Sequence, residues 1–196
     1  MQSRPMSLDE ALTLARAGDE VGYRCLWRCY QPQLLRFLYV LVGPEAEDVA
    51  SETWLQMVRD LRRFRGGVES FGPWLFGIGR HRAIDVQRAR ARRRSTPWPL
   101  EHFADLHDAF VAGADEQAQE HEETYWALQL VASLPAEQAQ AVALRVIAGF
   151  DAATIGRLLG KSAGSVRVSV HRGLRTLARA MEAPAPVTTQ GQEVTQ

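Results

Sequence analysis

Apolar residues recur at three- and four-residue intervals through most of the chain, and nowhere do they alternate strictly with polar ones over a strand's length. The pattern predicts an all-α protein. Residues 8–17 read as a short helix, opened by Ser7 and Glu10 at capping-box spacing and stopped by Gly18. From Asp19 a second stretch carries Val21, Leu26, Tyr30, Leu34, Phe37, Leu38 and Leu41 at helical spacing, with Pro32 expected to kink or split it. Gly43-Pro44 is a stop and a restart. The next helix has Glu45, Glu47 and Asp48 in its first turns, where the helix dipole favours acids, and Val49, Thr53, Leu55, Val58 and Leu61 as its apolar face.

Residues 64–70 read as a loop centred on Gly66-Gly67, and Ser70 is expected to cap a long helix ending in the arginine-rich run 88–94. Thr96-Pro97-Trp98-Pro99 breaks that helix, and a weakly patterned acidic stretch follows. Helical patterning resumes over 120–132, then 135–148 with Pro135 in the first turn and Gly149 at the end. Residues 151–159 follow, capped by Asp151 and stopped by Gly160, and a last helix runs from Ser162 to about Met181. The Pro-, Thr- and Gln-rich tail reads as disordered. Four segments result: a first helical domain over 1–95, a flexible acidic linker over 96–118, a second helical domain over 119–182, and a tail over 183–196.

At 196 residues the chain has room for two small cores, and its 46% hydrophobic content excludes wholesale disorder. A formal net charge of zero argues at first against a nucleic-acid partner, but the average conceals segregation. Residues 59–94 hold eleven arginines against three acids, 101–124 hold eight acids and no Lys or Arg, and 141–181 hold seven basic residues against Asp151. Two basic segments separated by an acidic one suggest two surfaces that face a polyanion. Nearly all the positive charge is arginine, which suits phosphate and guanine contacts, although GC-rich codon usage yields the same bias.

The sharpest local pattern lies near the C-terminus. A short helix over 151–159, Gly160, a tight Lys161-Ser162 connection and a second helix make a helix-turn-helix. Ile155, Leu158, Leu159, Val166, Val170, Leu174 and Leu177 would face inward. Ser162, Ser165, Arg167, Ser169 and Arg172 would lie outward or at the N-terminal end of the second helix, the part that enters a major groove. An ordinary helical hairpin with a basic face shares this periodicity.

Leu134-Pro-Ala-Glu-Gln-Ala-Gln-Ala-Val-Ala-Leu-Arg-Val146, the helix-turn-helix and Val170-His171-Arg172 together resemble the fourth conserved region of extracytoplasmic-function (ECF) sigma factors. The first domain resembles the second conserved region of that family through Ala46-Glu-Asp-Val-Ala-Ser-Glu-Thr-Trp54, Arg63-Phe-Arg-Gly66, Trp74-Leu-Phe76 and Arg80-His-Arg-Ala-Ile-Asp85. Both occur in the family's order and together cover about residues 19–181. The resemblance implies a region 2 helical bundle and a region 4 helix-turn-helix in a sigma factor that binds core RNA polymerase, directs it to promoters and assists their opening.

Residue by residue, it implies that Glu47, Asp48, Glu52 and Gln56 dock on the clamp helices of the largest polymerase subunit. The loop and following helix would hold the −10 element through Arg63, Phe64, Arg65, Gly66, Ser70, Trp74, Arg80, Arg82 and Arg88, with one base extruded into the loop. Trp74 is either a core aromatic or a platform stacked on DNA. The second domain would meet the β-subunit flap and read the −35 element through Lys161, Ser162, Ser165, Arg167, Ser169, His171, Arg172 and Arg175. Two departures stand out. Gly72-Pro73 precedes Trp74 where the family commonly has Thr, and Val168-Ser169-Val170 replaces a more usual Ser-Arg-Leu, removing one arginine expected at −35.

Two rival functions fit less of the chain. A free-standing helix-turn-helix regulator leaves the acidic helix and Gly loop without a role. An enzyme lacks support: the five histidines (81, 102, 107, 121 and 171) show no metal spacing, and no phosphate loop or nucleophile elbow appears. No catalytic residue, metal or cofactor is expected. Cys25 and Cys29, one helical turn apart, read as packing residues rather than half a metal site or a redox pair. Without a signal peptide or membrane-length apolar run, the chain is expected in the cytoplasm with no membrane insertion, and an anti-sigma factor is a compatible partner. The acidic linker either extends over polymerase or collapses against the basic faces.

Overall fold

The computed structural model describes residues 6–93 and 116–182. Within them the chain is helical with no strand: α1 (Leu8–Ala17), α2 (Glu20–Val42), a 3-10 turn (Gly43–Glu45), α3 (Ala46–Asp60), α4 (Val68–Arg93), α5 (Glu116–Ala132), α6 (Ala136–Val146), α7 (Ala152–Leu159) and α8 (Ala163–Glu182). The linker expected over 96–118 falls, up to residue 115, outside the described residues, as do Arg94 and the tail over 183–196. No described helix is long and apolar enough to cross a membrane.

Local chemistry explains most of the ends. Ser7 accepts from the Glu10 amide and the Glu10 carboxylate accepts from the Ser7 amide, so the capping box forms and satisfies two otherwise orphaned donors. Asp151 accepts from the Thr154 amide at 2.7 Å and starts α7, while the Ser162 hydroxyl accepts from the Ser165 amide at 3.1 Å and starts α8. Three expectations shift. Pro32 does not split α2, which runs unbroken through it; Pro32 and Arg28, whose carbonyl loses its helix partner, are both exposed residues. Ser70 is not a cap: α4 begins at Val68, with the Ser70 amide donating to the Gly67 carbonyl at 3.1 Å. The helix expected from residue 120 begins at Glu116.

α1 to α4 pack as a bundle around fully buried Leu26, Leu34, Phe37, Leu38, Phe71, Leu75 and Phe76. Phe37 and Phe76 lie 5.4 Å apart at 43°, a tilted pair worth about 1 kcal/mol beyond the area it buries. Buried Thr53 donates to the Val49 carbonyl at 2.6 Å, so its hydroxyl adds no unpaired polar group to the core. In the second module α6 and α8 pack most closely, with Val142, Leu144, Ile155 and Val166 buried.

Periodicity misplaced four residues. Val21 (49% exposed), Leu55 (58%), Val58 (46%) and Leu174 (44%) point outward rather than inward. In α3 the buried positions are Ala46, Val49, Ala50, Thr53 and Met57, so its inner stripe passes beside Leu55 and Val58 rather than through them.

The two modules share one continuous core. α2 packs on α5 and α6, and α4 touches α7. Tyr39 and Tyr125 meet with ring centres 5.3 Å apart, and Phe150 stands edge-on to Phe76 at 5.3 Å. Gly72, the departure before Trp74, is buried where a Cβ would come within 3.1 Å of Tyr30 and 3.4 Å of Phe150, so its smallness admits the second module.

Candidate polymerase and nucleic-acid interfaces

α3 presents Glu47, Asp48 and Glu52 to solvent, with exposed Leu55 and Val58 beside them and Gln56 half-buried. Asp48 and Glu52 lie one turn apart on one face. Gln56 and Glu52 also hold Arg82 of α4: the Arg82 Nε donates to the Gln56 Oε1 at 3.0 Å and its Nη1 lies 3.7 Å from a Glu52 oxygen. The acidic face and one predicted −10 arginine therefore share a network that fixes α3 against α4. Further along α4, Arg90 pairs with Glu45 and Arg88 sits 3.7 Å from Asp85. The Arg88–Asp85 pair is largely solvated and contributes little to stability, whereas Arg90 and Glu45 are partly buried.

The loop between α3 and α4 holds exposed Arg63 and Arg65 around a half-buried Phe64, with exposed Ser70 in the first turn of α4 beside it. Phe64 stacks on Trp74 at 4.5 Å and 19° and meets fully buried Phe71 edge-on at 6.0 Å. Trp74 thus has one ring face committed to Phe64 and is half-buried. Gly66 is required by close approach: a Cβ there would lie 2.6 Å from the Phe64 Cζ and 2.7 Å from the Ser70 Cβ. A cavity of about 280 Å³ beside the loop is lined by Arg16, Arg62, Phe64 and Arg65.

Arg80 projects from α4 toward the second module, where its Nε donates to the Gln140 Oε1 of α6 at 2.9 Å. Burial there pushes its pKa below the ordinary guanidinium value. Burial beside Tyr125 likewise pushes the Tyr39 phenol above its ordinary range.

In the helix-turn-helix, α7 ends at Gly160 in left-handed backbone and α8 turns Val166 and Gly173 inward. Ser165, Arg167, His171, Arg172 and Arg175 are exposed, and Arg167, His171 and Arg175 form a ridge at four-residue spacing. Ser169 is half-buried, Ser162 is engaged as the α8 cap, and Lys161 pairs with Glu137 of α6. Cys25 is half-buried against the core, whereas Cys29 is exposed; burial and Cys25 raise the Cys29 pKa.

Periodicity and motif spacing did not mark Arg16, Leu55, Val58, Gln140 or Phe150 as surface-forming. Leu55 and Val58 carried a signal, being apolar residues off the 3.6-residue register set by Val49, Thr53 and Met57. Arg16 and Gln140 carried none, since each meets a segment 48 to 60 positions away.

These features define a two-module helical protein with an acidic helix and loop on one module and a basic helix-turn-helix on the other. Residues 26–94 match the family Sigma-70 region 2, and residues 125–177 match Sigma-70, region 4. The chain is 32% identical over 176 residues to the ECF RNA polymerase sigma factor SigD of Mycobacterium tuberculosis, spanning 87% of this chain and 82% of that protein. It is 35% identical over 132 residues to the ECF RNA polymerase sigma factor ShbA of Streptomyces griseus, spanning 67% of this chain and 69% of that one. Its fold is similar to that of CnrH in complex with the cytosolic domain of CnrY, with a TM-score of 0.63 at 17% identity over 91% of this chain and 100% of that chain. It is also similar to the sigma factor RpoE of Bartonella quintana in complex with the anti-sigma factor NepR, with a TM-score of 0.59 at 18% identity over 83% and 98%. The chain belongs to the ECF sigma factors of RNA polymerase. It is a transcription initiation factor that directs the polymerase to promoters.

Proposed function

We propose that α3 docks on the clamp helices of core polymerase through Glu47, Asp48, Glu52 and Gln56, with Leu55 and Val58 supplying apolar contact. The observation that carries this reading is the exposure of Leu55 and Val58 beside the acids, because exposed apolar residues rimmed by charge mark a protein interface. The loop over 61–67 and α4 engage the −10 element and assist opening by holding an extruded base. α8 enters the major groove at −35 with Arg167, His171, Arg172 and Arg175. The first module spans 1–95 and the second 119–182, joined over 96–118, and catalysis of RNA synthesis belongs to the polymerase. The chain works in the cytoplasm. An anti-sigma factor that covers these faces is a fitting partner, since the similar sigma factor RpoE was solved with the anti-sigma factor NepR.

The closed packing belongs to the protein away from promoters. Elements centred about 25 base pairs apart are separated by about 85 Å at 3.4 Å per pair. Two packed modules of this size have centres about 30 Å apart. Engagement of both elements therefore requires the contacts of Phe150 and Gln140 with α4 to release.

Binding of the purified chain to core polymerase, compared with its binding to duplex DNA alone, tests the reading. Tight association with core and weak duplex binding are expected. Sequence-specific duplex binding without affinity for core would overturn it.

A further inference from the structure

We infer that Arg16 is a positioning residue for base selection at the α3–α4 loop, supplied by a helix that lies outside the matched region 2 segment. The inference rests on the reading of that loop as a base-capture site. Arg16 sits in the last turn of α1, and its Nη2 donates to two loop carbonyls, that of Phe64 at 3.1 Å and that of Gly66. Its guanidinium also lies over the Phe64 ring, 5.4 Å from the centroid. One side chain thus holds both the backbone of the loop and the aromatic ring within it.

The base of this strut is rigid. The capping box fixes the start of α1, and Ala11, Leu12 and Ala15 are buried against α2. The helices approach so closely at Gly22 that a Cβ there would lie 2.4 Å from the Ala15 nitrogen. Residues 64–67 lie outside any helix, and their backbone is otherwise tied only near its ends, where the Phe64 amide donates to the Asp60 and Leu61 carbonyls and the Gly67 carbonyl accepts from the Ser70 amide. A planar guanidinium suits the task, because it donates in a fixed fork while its face covers a ring. A lysine offers a point charge in its place.

The cavity beside this contact is lined by three guanidinium-bearing residues and one ring. At about 280 Å³ it is below the roughly 300–1,000 Å³ of sites for drug-sized ligands, and suits a single base with its phosphate. Guanidinium planes stack on an unpaired base, and the exposed Arg62 and Arg65 suit the adjacent phosphates. Arg16 sets the distance between Phe64 and the loop backbone, and with it the shape the base must match.

The test uses the full chain bound to core polymerase. Random single-stranded 12-mers are selected on the wild-type and variant complexes, and the base preference at each position is read by sequencing. Arg16→Ala and Arg16→Gln are expected to lower the preference at one position about tenfold, the scale of one stacked base. Core affinity should stay within about twofold, and Arg16→Lys should restore part of the preference. Gly66→Ala, which disturbs the same loop from within, should weaken the same position. Variants are compared below their melting temperatures, and if Arg16→Ala does not fold, Arg16→Lys and Arg16→Gln decide. A uniform loss of binding to all 12-mers, with preferences intact, would mean a structural role only and would overturn the inference. A wild-type complex with no base preference would overturn the loop reading and this inference together. Full preference in wild type and in every Arg16 variant would overturn this inference alone.

Discussion

The Arg80 Nε donates to the Gln140 Oε1 at 2.9 Å, joining a helix of the first module to a helix of the second across sixty residues of sequence. Arg80 is one of the side chains expected to follow DNA phosphates, so the closed arrangement occupies a residue that the open one would use. Gln140→Ala should cost the closed state about 1 kcal/mol, roughly a fivefold shift in the open population. Phe150→Ala removes the edge-on contact with Phe76, worth about 1 kcal/mol plus the buried area. Small-angle scattering of the free chain should show a larger radius of gyration for both variants and a further increase when they are combined. An unchanged radius in the double variant would discard the closed state in solution.

The acidic helix gives a second prediction. Leu55 is 58% exposed, so Leu55→Ala should shift folding stability by no more than about 0.5 kcal/mol. Affinity for core polymerase should nevertheless fall about tenfold, the scale of one interface anchor. Charge reversal of Asp48 and Glu52 should weaken the complex further, with a marked salt dependence. Fluorescence titration against core, beside thermal melts of the free chain, separates the two effects.

On α8, exposed Arg167, Arg172 and Arg175 are expected to contact the −35 element, and the salt slope distinguishes the kinds of contact. An alanine at a phosphate-contacting arginine should weaken binding to all sequences evenly and reduce the slope of log affinity against log salt by about 1. An alanine at a base-contacting arginine should instead relax preference at one base pair. Holoenzyme titrations on −35 variants at several salt concentrations assign each residue. Val168-Ser169-Val170 predicts that Ser169→Arg adds affinity, because Ser169 sits on the same helix half-buried and without a guanidinium's reach.

Asp151 makes stability depend on acid. The hydrogen bond from the Thr154 amide holds its carboxyl below the ordinary value of 3.8, so the folded state favours the ionised cap. A depressed folded pKa contributes stability that is present above the unfolded value and is lost as pH falls through the folded one. Melting temperature should therefore drop more steeply below about pH 4 in wild type than in Asp151→Asn, which caps without titrating. Parallel curves for the two proteins would reject the cap as the cause.

How far the sequence reached can be followed residue by residue. α1 was legible to its ends, because Ser7, Glu10 and Gly18 act within a single turn. The start of α4 was not: Ser70 has the chemistry of a cap, yet the Gly67 carbonyl takes its amide and the helix opens two residues sooner. The helix-turn-helix was legible through Asp151, Gly160 and Ser162, whereas Leu174 followed the inner periodicity and still faces solvent, Gly173 being what packs. At Gly173 a Cβ would come within 2.7 Å of Val142, a constraint set by α6 and absent from the pattern of α8 itself.

What the sequence alone determined, then, was most of what neighbours along the chain govern: helical periodicity, the caps at Ser7, Asp151 and Ser162, the stops at Gly18 and Gly160, charge segregation and the order of two modules. These depend on interactions within about four residues, so a linear pattern records them wherever one local partner has no competitor, as Ser70 had in the Gly67 carbonyl. Tertiary structure decided which apolar residues were left outside, how Arg16 reaches the loop at Phe64 and Gly66, and that Gly72 makes room for Phe150. Those outcomes depend on which surfaces meet once helices pack, and residues far apart in sequence carry no local mark of where they will meet.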